Sequence, residues 1–243
     1  AEYTEFDLAL RKYIVEVNGK SLTDLSLPTR NPQVDTSTLK TRTTATYNHR
    51  KDPVEVKEND VITYSIRIYN EGDIDGYASK IIDQLPTNLI PSPDNPTTIT
   101  SIGKDGNAKN QYKITNGLPT ASTSDAPANS IVFNIVTPAN SLKAYSETSG
   151  LDYETITFKC ILKQEADSEQ SKILTNVAWI AGAKDSAGND VTDRDSSPTS
   201  SPSVNKDNME KYTGNTSNKN DLTDSNNFYK GEQDDDDFEK LII

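Results

Sequence analysis

The chain has 243 residues, a formal net charge of −12 and an apolar content of 33%. That length holds one large all-β domain or two small ones. The acidic balance argues against nucleic acid and anionic membrane surfaces, which call for basic patches, and no apolar run reaches the length of a transmembrane helix.

Alternating apolar residues recur along the chain, with turn residues between the runs, and helical periodicity is nearly absent. The pattern predicts strands at 5–17, 53–57, 60–70, 78–85, 97–102, 110–115, 130–136, 153–164, 171–182 and 237–243. In the third of these, Ile62, Tyr64, Ile66 and Ile68 form the buried parity, and Val61, Thr63, Ser65 and Arg67 the polar one. Residues 20–46 are polar and rich in threonine, and 86–130 are rich in Pro, Asn, Thr and Ser. Both read as irregular excursions. The stretch 196–236 is almost entirely polar, and the apolar hexamer Phe238–Ile243 that follows it is expected to return to the sheet. The fold expected is an all-β, immunoglobulin-like β-sandwich with long polar loops. Its core is 1–195, 196–236 is a polar acidic excursion of the same domain, and 237–243 is the last strand or a linker to a following domain.

His49 is the only histidine and Cys160 the only cysteine. Ser-His-Asp and Cys-His triads, multi-His zinc sites and an internal disulfide therefore lack their parts. Cys160 shares the inward parity of Ile156, Phe158 and Leu162 and reads as a small buried hydrophobe.

Three strands carry a polar residue on an apolar face. Lys12 lies in register with Phe6, Leu8, Leu10 and Ile14; Asp83 with Ile81 and Leu85; Asn176 with Leu174, Ala178 and Ile180. Same-parity residues face one side of a sheet. A buried ammonium must pair, lose its proton or react. Two readings follow. One is a buried Lys–Asp ion pair with a hydrogen-bonded Asn. The other is an amide formed when the lysine amine attacks the asparagine carboxamide, with an acid shuttling the proton to departing ammonia. Glu154 also shares an inward parity, so the residues leave the acid open between Asp83 and Glu154.

The motifs Leu8-Ala9-Leu10-Arg11-Lys12, Asp83-Gln84-Leu85-Pro86 and Leu174-Thr175-Asn176-Val177-Ala178 occur in that order. Together they resemble the A-type isopeptide-forming domains of Gram-positive pilins and collagen-binding-type surface adhesins. The segment from Tyr69-Asn70-Glu71-Gly72 to Leu89 resembles a repeat of large bacterial surface proteins. The resemblance covers residues 5–182. It implies that Lys12 is the nucleophile, Asp83 the proton shuttle and Asn176 the acceptor, in a single-turnover reaction and not an enzyme. No LPxTG signal and no pilin-motif lysine appear.

Acidic segments flank the polar excursion: Asp193 and Asp195 before it, Asp234 to Asp237 after it. Calcium takes six to eight oxygens, and like charges in a run repel unless solvated or neutralised. The expectation is a calcium site built from Asp193, Asp195, Asp234 and Asp236. The alternative is a solvated acidic loop.

The functional expectation is a secreted stalk or spacer module of a Gram-positive cell-surface adhesin or fimbrial protein, represented by a mature fragment. Its partners would be neighbouring domains of the same protein and a host ligand. The rival readings are a ligand-binding adhesin module for a host protein or glycan, and a sandwich domain attached to a carbohydrate-active enzyme.

Overall fold

Alternation becomes strand throughout the computed structural model, which describes residues 5–40, 45–86, 88–114, 126–163, 173–191 and 236–243. The strands are β1 Leu8–Val17, β2 Lys20–Ser21, β3 Gln33–Asp35, β4 Thr46–Asn48, β5 Val54–Glu55, β6 Val61–Asn70 and β7 Gly76–Gln84. They continue as β8 Leu89–Pro91, β9 Thr98–Gly103, β10 Ala108–Ile114, β11 Ser130–Ile135, β12 Asp152–Leu162, β13 Ile173–Asp185 and β14 Asp236–Ile242. Asn18 and Gly19, with φ of 53° and 74°, turn β1 into β2. Two successive positive φ angles suit the right-handed twist of a tight hairpin, and Asn-Gly tolerates both.

Twelve strands form one sheet in the order β2-β1-β6-β12-β9-β10-β11-β7-β13-β14-β5, with β8 also on β12. The small β3–β4 hairpin stands apart. The sheet curls so that its two walls share one core. Leu8, Leu10 and Ile14 of β1, Ile62 to Ile68 of β6 and Ile156 to Leu162 of β12 meet Ile81 of β7, Leu174, Ala178 and Ile180 of β13, and Leu241 of β14 in a single cluster. The result is an all-β sandwich. The Asn70–Asp73 turn presses on the start of the chain: a Cβ at Gly72 would lie 2.6 Å from the Asp7 nitrogen, so only glycine fits there.

The sequence pattern misses β2, β3, β4 and β8, each too short to show alternation. It also misjudges the outer face of β6. Thr63 and Ser65 are buried, not solvated. Ser65 Oγ hydrogen-bonds Thr157 Oγ1 at 2.9 Å, and Arg67 donates to Thr155 Oγ1 at 3.0 Å while lying 4.5 Å over the Tyr153 ring. Polar side chains on this face find polar and aromatic partners, so their burial leaves no apolar signature in the sequence.

Candidate functional site

Lys12 lies in the middle of β1, fully buried, with its inward neighbours Leu10 and Ile14. Its ammonium forms an ion pair with Asp83 of β7, also fully buried. The Nζ stands 4.1 Å from the centre of the Tyr64 ring and 4.9 Å from that of Phe158. Burial raises the Asp83 pKa, while Lys12 and then Asn176 pull it back. In this apolar box a proton passed from Lys12 to Asp83 leaves two neutral groups, which low polarity favours.

Asn176 completes the cluster from β13. Asp83 pairs directly across the ladder with Ala178, so Asn176 sits two residues along on the same face. Its side chain is 1% exposed. It stands close enough to Asp83 and Tyr64 to lower the pKa of each. Yet neither atom of its carboxamide closes a hydrogen bond of ordinary geometry, nor do Asp83 Oδ1 and the Tyr64 hydroxyl. Each buried polar group left unpaired costs about 1–3 kcal/mol. Four such atoms, on Asp83 and on two residues that neighbour it, mark a site where the fold accepts a local cost, a feature associated with reactive centres. Cys160 flanks the same group. Burial and the Asp83 charge push its thiol well up, so it stays protonated and inert.

Glu154, the other candidate acid, is buried in β12 but occupied elsewhere. It accepts from the Tyr112 hydroxyl, from Ser101 Oγ at 2.9 Å and from Asn110 Nδ2 at 2.7 Å. Asn110 in turn holds the backbone of Asn140. Glu154 therefore ties β12 to β9, β10 and the 137–142 segment, and of the two acids only Asp83 is paired with Lys12.

Of the four residues expected to bind calcium, one lies among the described residues. Asp193, Asp195 and Asp234 lie outside the described residues. Asp236 is fully buried in β14, opposite Trp179, and its carbonyl accepts from Arg11. Among the described residues no group of three or more His, Cys, Asp or Glu side chains is arranged to hold a metal. Asp237, the last acid of the run, is neutralised by basic partners. It shares the inward parity of Glu239 and Leu241 and meets Lys51 at 2.9 Å and His49 Nε2 at 3.2 Å. Burial alone would raise its pKa, but Lys51, His49 and Arg11 outweigh that and hold it far below the usual carboxylate range. Glu239 receives Arg30 Nε at 2.7 Å.

These charges fill a seam. β1 is laddered to β6 along one edge, and β2 covers its other edge only at Glu16 and Val17. Toward β14 its backbone N–H groups are satisfied by side chains: Lys12 N–H donates to Asp237 Oδ2 at 2.8 Å, and Ile14 N–H to Glu239 Oε2 at 2.9 Å. Sequence reasoning missed Asp237, Glu239, Lys51 and Arg30. The parity shared by Asp237, Glu239 and Leu241 could have found the acids. Nothing in the irregular 20–52 segment marks Arg30 or Lys51.

No protein-family model and no curated protein matches the chain. Solved structures similar to it include the pilus backbone of Streptococcus pneumoniae, at 16% identity and TM-score 0.37 over 73% of this chain and 53% of that one. The major pilin subunit of Bacillus cereus follows at 11% identity and TM-score 0.33, over 75% of this chain and 37% of that one. The collagen-binding domain of a Staphylococcus aureus adhesin is similar at 15% identity and TM-score 0.28, over 54% of this chain and 81% of that one. The chain spans about half or less of the length of the pilin structures it matches.

Proposed function

We propose that this domain is a structural spacer of a Gram-positive surface adhesin or pilus-type protein, stapled by an amide between Lys12 and Asn176. The observation that carries the reading is the buried Lys12–Asp83 pair, with Asp83 beside a carboxamide that closes no hydrogen bond of ordinary geometry. Asp83 takes the proton from Lys12, leaving a neutral amine. The amine nitrogen attacks Cγ of Asn176 while protonated Asp83 hydrogen-bonds the amide oxygen. The proton shed by the new C–N linkage passes through Asp83 to the departing nitrogen. The C–Nδ2 bond breaks and ammonia leaves. The charges of Lys12 and Asp83 disappear, and with them the cost of burying them. Nothing turns over, so the domain is its own single substrate.

The bond would join the first long strand to the thirteenth. Tension entering at β1 then passes through the amide to β13, and the chain between is shielded from it. An extracellular protein without a disulfide gains a covalent staple this way. Single-molecule pulling between the termini tests the role. A spacer releases no contour length from residues 12–176 at forces that unfold ordinary sandwiches. Full extension of the chain contradicts the reading. Calcium binding by Asp193, Asp195, Asp234 and Asp236 is also proposed, on the sequence alone.

A further inference from the structure

Lys12 is held by its main chain as well as by its side chain, and one residue pair does the holding. Its N–H donates to Asp237 Oδ2 at 2.8 Å. Its carbonyl accepts from Lys51 Nζ at 3.2 Å. Lys51 also donates to Asp237 at 2.9 Å and to the Phe238 carbonyl, so the two residues act as one unit rooted in β14. β14 is laddered to β13, with Asp237 across from Ala178 and Glu239 across from Asn176. An unbroken line of hydrogen bonds thus runs from the backbone of Lys12, through Lys51 and Asp237, to the strand that carries Asn176.

We propose that the buried Lys51–Asp237 pair is a positioning clamp for amide formation, setting the gap between the strand of the amine and the strand of the carboxamide. This rests on the Lys12–Asn176 reading. Laddered strands lie about 4.8 Å apart. A carboxylate inserted between β1 and β14 holds them wider, and together with Lys51 it fixes their register, because the pair grips both main-chain polar groups of Lys12. A buried ion pair is a poor way to gain stability, since apolar residues of similar volume often serve as well or better. Geometry is what this pair supplies that an apolar pair would not: two directional bonds to one residue. Bond formation needs the reacting atoms at near-attack distance, and a misplacement of about 1 Å costs on the order of 100-fold in rate.

The test is a chase after cell-free synthesis, with intact mass reporting the loss of ammonia at a temperature where every variant is folded by circular dichroism. The Lys51→Met/Asp237→Asn double variant removes the clamp without leaving Lys51 or Asp237 as a lone buried charge. It is expected to close the bond about 10–100-fold more slowly than wild type, with the same dependence on pH, because the proton shuttle is untouched. Glu71→Ala is the control. Glu71 is buried and receives Ala45 N–H and the Tyr47 hydroxyl, away from Lys12. It is expected to lower the melting temperature and leave the rate unchanged. If the double variant does not fold, Lys51→Met alone, which removes the donor to the Lys12 carbonyl and leaves Asp237 beside His49, takes its place with the same expectation. Clamp variants that close at the wild-type rate overturn the proposal, as does an equal slowing by Glu71→Ala. A wild-type protein that never loses ammonia overturns instead the reading on which the clamp rests.

Discussion

Replacing Asn176 by alanine separates the two readings of the buried lysine by the sign of its effect. If the amide forms, Asn176→Ala abolishes a crosslink closing a loop of roughly 165 residues, which the chain-entropy relation values at about 5 kcal/mol. For a chain of this size each kcal/mol moves the melting temperature by roughly 2–4 °C, so the variant is expected to melt about 10–20 °C lower. If Lys12 and Asp83 are only an ion pair, the same substitution removes a buried carboxamide that closes no hydrogen bond of ordinary geometry. Such a group costs about 1–3 kcal/mol in place, and its loss offsets the small cavity left behind. The variant would then melt near or above wild type. Thermal unfolding by circular dichroism at neutral pH, with both proteins checked by mass, reads the difference. A variant as stable as wild type refutes the crosslink.

Three further outcomes follow from the same geometry, and a fourth from the acidic sequence. Asp83→Asn is expected to leave the protein uncrosslinked, whereas Glu154→Gln should crosslink fully, as mass spectrometry of both will report. Glu154 has a raised pKa, mainly from burial, which Tyr112, Asn110 and Ser101 only partly offset. Its contribution to stability is complete below the ordinary glutamate value and is lost as pH rises through the raised one, so Glu154→Gln should be the more stable protein at pH 7 and lose that advantage on acidification. His49 is pushed below its ordinary 6.5 by burial and by Lys51, against the pull of Asp237. Its contribution is present above 6.5 and lost as pH falls below it; that of Asp237 is lost lower still, below the ordinary 3.8. Melting temperature should therefore fall in two stages, one beginning below pH 6.5 and one below pH 3.8, and His49→Gln should flatten the first. Calcium is expected to raise the melting temperature and to protect residues 196–236 from protease; no change in either measurement leaves the acids as a solvated loop.

The long strands were legible because alternation survives along them. Leu8 to Ile14, Ile62 to Ile68 and Ile156 to Leu162 each keep one apolar face for three or more steps, and that face is the core. Parity also directs Lys12, Asp83 and Asn176 inward, since a one-residue slip would turn each whole strand over. The seam between β1 and β14 was not legible. Lys51 meets Asp237 across 186 residues and Arg30 meets Glu239 across 209. Pairing at that separation is decided by how the sheet curls, and neither Arg30 nor Lys51 lies in a periodic run. Glu154 shows the limit of parity from the other side. Its inward direction is readable, but Asn110, Tyr112 and Ser101 claim it, and no pattern within β12 names them.

Intact mass of the purified, folded protein tests the central claim most directly. The account expects a mass lower than that of the sequence by one ammonia, and a tryptic digest with one branched peptide joining the Lys12 strand to the Asn176 strand. A folded protein at the full calculated mass, with Lys12 and Asn176 recovered in separate linear peptides, would contradict it.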